Sequence, residues 1–279
     1  MSSRSRSKSP ARTPKKVKAN TNDDDDGVTA SPPVATKAVS SSATSASFFT
    51  LRVWHVAFGV IGLGTVAVVE LHRREHKATS VNAWHALLAF FLILNSFIAV
   101  MEQHLHVGAA LVARRGKMLI KKFQGNELTG AVGWFQTPLT RRNVLHEAWT
   151  DMWSTYTLFD PCYNDDGTFG FWIDSGNGVL TLLPSLALLY NLTYDLPASW
   201  GFAPKWMALL SIIIFWTELY GTVIYAWGFF YRAQQKKIGW FNTAVFVACT
   251  NGIWFVVPAI GIWLMVQVQE NNSFALFRQ

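Results

Sequence analysis

Charge is scarce in this chain. Asp, Glu, Lys and Arg make up 15% of its 279 residues, against about 25% in a soluble domain. The shortage is steeper beyond residue 49: the first 49 residues hold eight of the 24 Lys and Arg and four of the 17 Asp and Glu, so 29 charges serve the other 230. That argues against an ordinary soluble enzyme. It also argues against a nucleic-acid binder, in spite of a net charge of +7. Cysteine is nearly absent as well. Cys162 and Cys249 stand alone, with no CxxC and no metal-ligand spacing, so two free thiols are expected rather than a disulfide framework or a zinc site. No P-loop, GxSxG, HExxH or Rossmann pattern occurs. The first 45 residues hold no apolar core of the kind a cleavable signal peptide needs.

What fills the chain instead is apolar and aromatic, with 13 Trp and 20 Phe. Five apolar runs follow one another at about 53–71, 82–101, 176–193, 206–230 and 240–267, the third interrupted by Pro184 and the fifth by Pro258. Each is close to the ~20 residues that cross a bilayer as a helix. Backbone groups in lipid must be bonded internally, and alternation is too weak for a barrel. The expected fold is therefore an all-α membrane protein, a bundle of five transmembrane helices spanning 50–270. The segment 1–49 is rich in Ser, Lys, Pro and Ala around the acidic run Asp23–Asp26. It buries too little to offset its ordering entropy and is expected to be a disordered tail. A basic segment, about 108–148, lies between the second and third runs, and its amphipathic part around Arg114–Phe123 suits a membrane-surface helix. The excess of Lys and Arg there and at 231–239 places the N-terminus in the cytoplasm. Arg73, Arg74 and Lys77, on the other side, run against that assignment.

Ionisable groups at membrane depth are costly and are functional candidates by default. Glu102 closes the second run, Glu218 lies in the middle of the fourth, and Asp174 sits at the mouth of the third. Helical spacing aligns Asn95, Glu102 and His106 on one stripe, Glu218, Thr222 and Tyr225 on another, and Asn251, Trp254 and Pro258 on a third. Facing a common interior, these stripes would line an apolar cavity with a few polar handles, suited to a lipid-like ligand. The competing reading is that the acids pair with Asn, Thr or His as packing contacts between helices. His55, His85 and His104 have no acid at helical spacing and are expected to be structural.

The run Glu218-Leu-Tyr220-Gly221-Thr-Val-Ile-Tyr225, followed by Asn251-Gly-Ile-Trp254-Phe-Val-Val-Pro258, resembles the last two spans of the emopamil-binding protein family. These are the sterol Δ8–Δ7 isomerases of the EXPERA group, which also holds the sigma-2 receptor. Trp153-Ser-Thr-Tyr156-Thr-Leu-Phe-Asp160-Pro-Cys-Tyr163 is similar to the family's W-x-x-Y-x-x-x-D-x-R-Y segment. The resemblance covers about 50–268 and implies five spans in the endoplasmic reticulum membrane, a sterol or sterol-like ligand, no cofactor, no metal and no nucleic acid. It leaves room for a homodimer. It implies catalysis by proton addition and removal through a carbocation, with Glu102 and Asp174 as the proton-transfer groups and Trp254 as the cation-facing ring. Asn251, Glu218, Tyr220, Tyr225 and Thr222 would then line the substrate site, with His106 and Asp160 as further candidates. The chain departs from the family at three points. The His one turn before the second-span Glu is Ile98 or Ala99, the fourth-span Asp is Thr222, and the Arg of the D-x-R-Y segment is Cys162. The missing His favours a second implication, a non-catalytic sterol- or amine-binding member closer to the sigma-2 receptor.

Overall fold

The computed structural model describes residues 50–195 and 203–278; the tail expected to be disordered, 1–49, lies outside them. Among the described residues the chain is helical throughout and forms no strand. Its one extended contact is an isolated bridge between Arg52 and Pro138.

The first membrane-length helix, Val53–Glu75, consists of α1 (Val53–Phe58), a wider-wound turn over Gly59–Leu63, and α2 (Gly64–Glu75). Next comes α3 (Ala83–Val107), started by Asn82, whose side chain accepts from the His85 N–H and so satisfies one of the free amides of the first turn. The basic segment that follows is ordered as the basic helix α4 (Ala109–Phe123) and the short apolar helix α5 (Glu127–Phe135). It leads into α6 (Glu147–Tyr156) and a tight turn at Pro161–Asn164. The other long helices are α9 (Pro204–Tyr231), with Pro204 in the first turn where its missing N–H costs nothing, and α11 (Thr250–Asn271). The short α10 (Gln234–Asn242) leads into α11 through wider turns at Thr243–Cys249. Gly239, at φ 80°, breaks the coil inside α10, a conformation that glycine adopts without a Cβ clash.

Four stretches are long and apolar enough to cross a membrane: Val53–Glu75, Ala83–Val107, Pro204–Tyr231 and Gln234–Asn271. The run expected as a single third span is two shorter helices, α7 (Phe169–Leu180) and α8 (Leu182–Thr193). Pro184 supplies the reason. It has no N–H to offer the Leu180 carbonyl, and its ring crowds that carbonyl. The chain accordingly interrupts its coil at Thr181, one turn upstream of the proline. These helices, with large apolar side chains such as Leu63, Ile213, Trp227 and Trp263 exposed on their outer faces, give the fold of a multi-pass helical membrane protein.

The main core joins Leu88, Phe91 and Leu92 of α3 to Leu192 of α8, Phe215 of α9 and Leu264 of α11. Small residues allow the close approaches. A methyl group on Gly261 would stand 2.6 Å from the Phe215 ring, so α11 can lie against α9 only with glycine there. On Gly178 it would stand 2.6 Å from the Glu102 β-carbon and 2.9 Å from the Ala99 carbonyl oxygen. This second contact seats α7 on α3 and brings the polar residues of both helices together.

Candidate functional site

Asn95 and Glu102 lie two turns apart on the buried face of α3, and both are almost fully enclosed. Across from them α7 presents Asp174 and Asn177, α9 presents Glu218, and α11 presents Trp254. Two bonds to backbone hold this frame: Gln103 Nε2 donates to the Gly178 carbonyl at 2.8 Å, and Trp153 Nε1 donates to the Met101 carbonyl at 2.7 Å.

An amide network crosses the interior. Trp254 Nε1 donates to Asn95 Oδ1 at 3.1 Å, and the Asn95 amide nitrogen donates to Ser185 Oγ at 3.3 Å. Asn177 Nδ2 reaches Glu218 Oε2 at 3.5 Å, while Thr181 Oγ1 donates to the Asn177 carbonyl at 2.9 Å. The interrupted third run therefore contributes Asn177, Thr181 and Ser185 from one stripe, at i, i+4 and i+8.

Three carboxylates share this interior. Glu102 is 6% exposed and Glu218 is 3% exposed, and one oxygen of each, Glu102 Oε2 and Glu218 Oε1, is buried without a hydrogen-bond partner. Glu102, Asp174 and Glu218 are electrostatic neighbours, and among the described residues none of the three forms an ion pair. Asp174 differs in having a donor: the Tyr163 hydroxyl donates to its Oδ2 at 2.5 Å. Tyr163 packs in turn against Trp153 and Tyr156, at ring separations of 5.0 and 5.3 Å. Burying carboxylate oxygens without partners costs several kcal/mol, which packing alone does not call for. The arrangement can give and take protons, or hold a cation, with Glu102 and Glu218 enclosed and Asp174 half-buried beside them.

The remaining expected residues fall in other places. Asn251 donates to the Tyr156 hydroxyl at 3.2 Å. With Thr222 and Tyr225 it lines an open, almost wholly apolar groove of about 660 Å³ between α9 and the start of α11. The single cavity expected from the three stripes is therefore divided between this groove and the packed polar interior behind it. Tyr220 is half exposed and stacks on Trp216, outside both. His106 is exposed and lies against the Trp172 ring, so it does not share the interior with Glu102. Asp160 is fully buried in a structural role. It accepts from the Cys162 backbone N–H at 3.0 Å and from Arg232 at 3.4 Å. The cation that the D-x-R-Y pattern would supply two residues later comes here from the end of α9. Cys162 itself is free and buried, and its burial, with Asp160 beside it, pushes the thiol well above its ordinary range.

Three features had no counterpart in the expectations. Asn177, Thr181 and Ser185 were visible as a polar stripe in an otherwise apolar run. The Arg232–Asp160 pair joins positions 72 residues apart, which helical spacing cannot reveal. At the opposite end of the bundle His72 and His85 are buried and stacked at 3.7 Å, with His76 beside them. Among the described residues no group of three or more His, Cys, Asp or Glu is placed to hold a metal ion.

No protein-family model, curated protein or solved structure matches this chain. Its fold and site define a class: a multi-pass helical membrane protein with a buried cluster of carboxylates and amides.

Proposed function

We propose that this chain is a sterol Δ8–Δ7 isomerase-like protein of the emopamil-binding type, resident in the endoplasmic reticulum membrane. On this reading α7 and α8 together make one bent crossing, the third of five. The observation that carries the proposal is the cluster of Glu102, Asp174 and Glu218, the two glutamates buried and Asp174 half-buried, with no cation paired to them and with Glu218 linked through Asn95 to Trp254. Moving a ring double bond needs one group to give a proton to an alkene carbon and another to take one from a neighbouring carbon. Glu102, with a bare oxygen, suits the donor. Asp174, whose Oδ2 already accepts from Tyr163, suits the acceptor. The carbocation between the two steps needs a π-face and shelter from water, and the half-buried Trp254 ring, held by Asn95, supplies the π-face. One proton leaves and one arrives, so the step is redox-neutral. The groove beside Asn251 and Tyr225 is of a size that takes a lipid-like molecule.

A second reading is a non-catalytic member that binds sterols or amines. Two observations favour it: carboxylates without a cation attract a cationic amine, and Ile98 or Ala99 stands where the family has its His, with His106 turned outward. Expression in yeast lacking its own Δ8–Δ7 isomerase, followed by sterol profiling, separates the two. Conversion of Δ8 to Δ7 sterols that is lost in Glu102→Gln is the expected result. Absence of conversion by a well-expressed protein that still binds sterol would leave the binding role.

A further inference from the structure

The helices α3 and α9 finish at the same end of the bundle, where they lead into α4 and α10. On α4 the buried positions Val112 and Gly116, with Leu119 and Phe123 packed beneath, form one face. Gly116 fits so closely that a methyl group there would meet the Asn164 and Thr157 side chains. At 100° per residue Arg114, Lys117 and Lys121 fall on the opposite face, and all three are exposed. Among the described residues none of the three takes part in an ion pair. Lys236 and Lys237 on α10 are exposed as well.

Beside these cations lies apolar surface that water would not tolerate over such an area. The helix α5 exposes Leu128, Val132 and Phe135 at i, i+4 and i+7, and α10 exposes Trp240 and Phe241. The two helices are tied through Asn242 Nδ2, which donates to Glu127 Oε2 at 3.3 Å. At the opposite end most of the arginines are paired: Arg73 and Arg74 both bond to Glu70, and Arg278 pairs with Asp195, which leaves Lys77 and Lys205 exposed there.

We infer that α4, α5 and α10 form a shelf that binds the headgroups of anionic phospholipids, the apolar side chains entering the interfacial layer and Arg114, Lys117 and Lys121 meeting the phosphates. A stripe of cations next to exposed aromatics is the composition such a layer selects. The shelf also fixes orientation: the end that carries it faces the more anionic, cytoplasmic leaflet. Because Glu70 partly neutralises Arg73 and Arg74, Lys77 alone of the three residues that ran against this orientation keeps its full charge.

The test uses the full-length protein in nanodiscs of mixed phosphatidylcholine and phosphatidylserine, released into mild detergent, with retained lipids counted by native mass spectrometry. Phosphatidylserine should be retained in preference to phosphatidylcholine at low salt. The triple variant Arg114→Gln, Lys117→Gln, Lys121→Gln should lower that preference about fivefold for each cation removed, while Lys205→Gln at the other end leaves it unchanged. The three positions are exposed, so the unfolding midpoint should stay that of the wild type. Equal retention of both lipids by the wild type would overturn the inference. So would a preference that survives the triple substitution, one that falls equally with Lys205→Gln, or one abolished by millimolar inorganic phosphate, which would assign the cations to a free anion.

Discussion

The indole of Trp254 donates its N–H to Asn95 Oδ1 at 3.1 Å, joining residues 159 positions apart across the interior of the bundle. Asn95 passes the connection on to Ser185. The ring proposed to face the carbocation is therefore held by the same residue that reaches the interrupted third run. Trp254→Phe keeps an aromatic face but leaves a buried amide oxygen short of a donor, which costs about 1–3 kcal/mol. A lowered unfolding midpoint in detergent with part of the isomerisation retained is expected. For Trp254→Ala the expected result is loss of turnover. Equal activity in the alanine variant and the wild type would remove Trp254 from the site.

Glu102→Gln replaces a partly unpartnered buried carboxylate by a neutral group of the same shape. The protein should fold about as stably as the wild type, because a proton-donating acid is itself neutral and its amide isostere adds no buried charge. Turnover should fall by a factor of about 10² or more, the usual contribution of a positioned proton donor. Melting curves and sterol profiles on the same preparations check both halves, and an active, unchanged variant would make Glu102 a packing residue.

Gly178→Ala places a methyl group 2.6 Å from the Glu102 β-carbon and 2.9 Å from a backbone carbonyl. Because the carbonyl cannot move without the helix, α7 must shift from α3 at a cost of about 1–3 kcal/mol. Gly176, two residues earlier, has open space around its would-be Cβ, and Gly176→Ala should leave the unfolding midpoint unchanged or raise it slightly, as alanine favours a helix over glycine. Comparing the two alanine variants reads out the α3–α7 contact itself.

The helices α4 and α6 are clamped by Arg115, which bonds Asp151 at 2.6 Å and Glu147 at 2.9 Å. The guanidinium, through its hydrogen bond above all, holds the Glu147 carboxyl below its ordinary value. A carboxyl lowered on folding contributes stability that is present above its unfolded pKa, about 4.3, and lost as pH falls through the folded value. The stability difference between wild type and Arg115→Gln should therefore be constant near neutral pH and shrink below about pH 4. It should be small throughout, since Glu147 is exposed to screening solvent. Denaturant titrations at pH 7 and pH 3 check the sign.

Much of the architecture was legible along the chain, because a run of some 20 apolar residues has few other fates than a membrane helix. Four runs became such helices, and Pro184 already marked the place where the third would be interrupted. Glu102, Glu218 and Asn95 were legible as inward residues for the same reason: a polar group in an apolar run turns away from lipid. His106 was misplaced by spacing alone. At i+4 from Glu102 it lies on roughly the same side of α3, yet α3 is ending there, and a residue of the last turn can face outward.

The order of helices, the burial of the acids and the shortage of cations near them were determined by the sequence itself, through hydropathy and composition. Three things were decided only by the tertiary structure. Trp254 meets Asn95, Arg232 supplies the cation beside Asp160, and His72 stacks on His85. Each pairing joins segments far apart in the sequence, and no period of 3.6 residues carries information between them. What selects such partners is the close approach that small residues like Gly178 and Gly261 permit, together with the cost of leaving a buried polar atom without one.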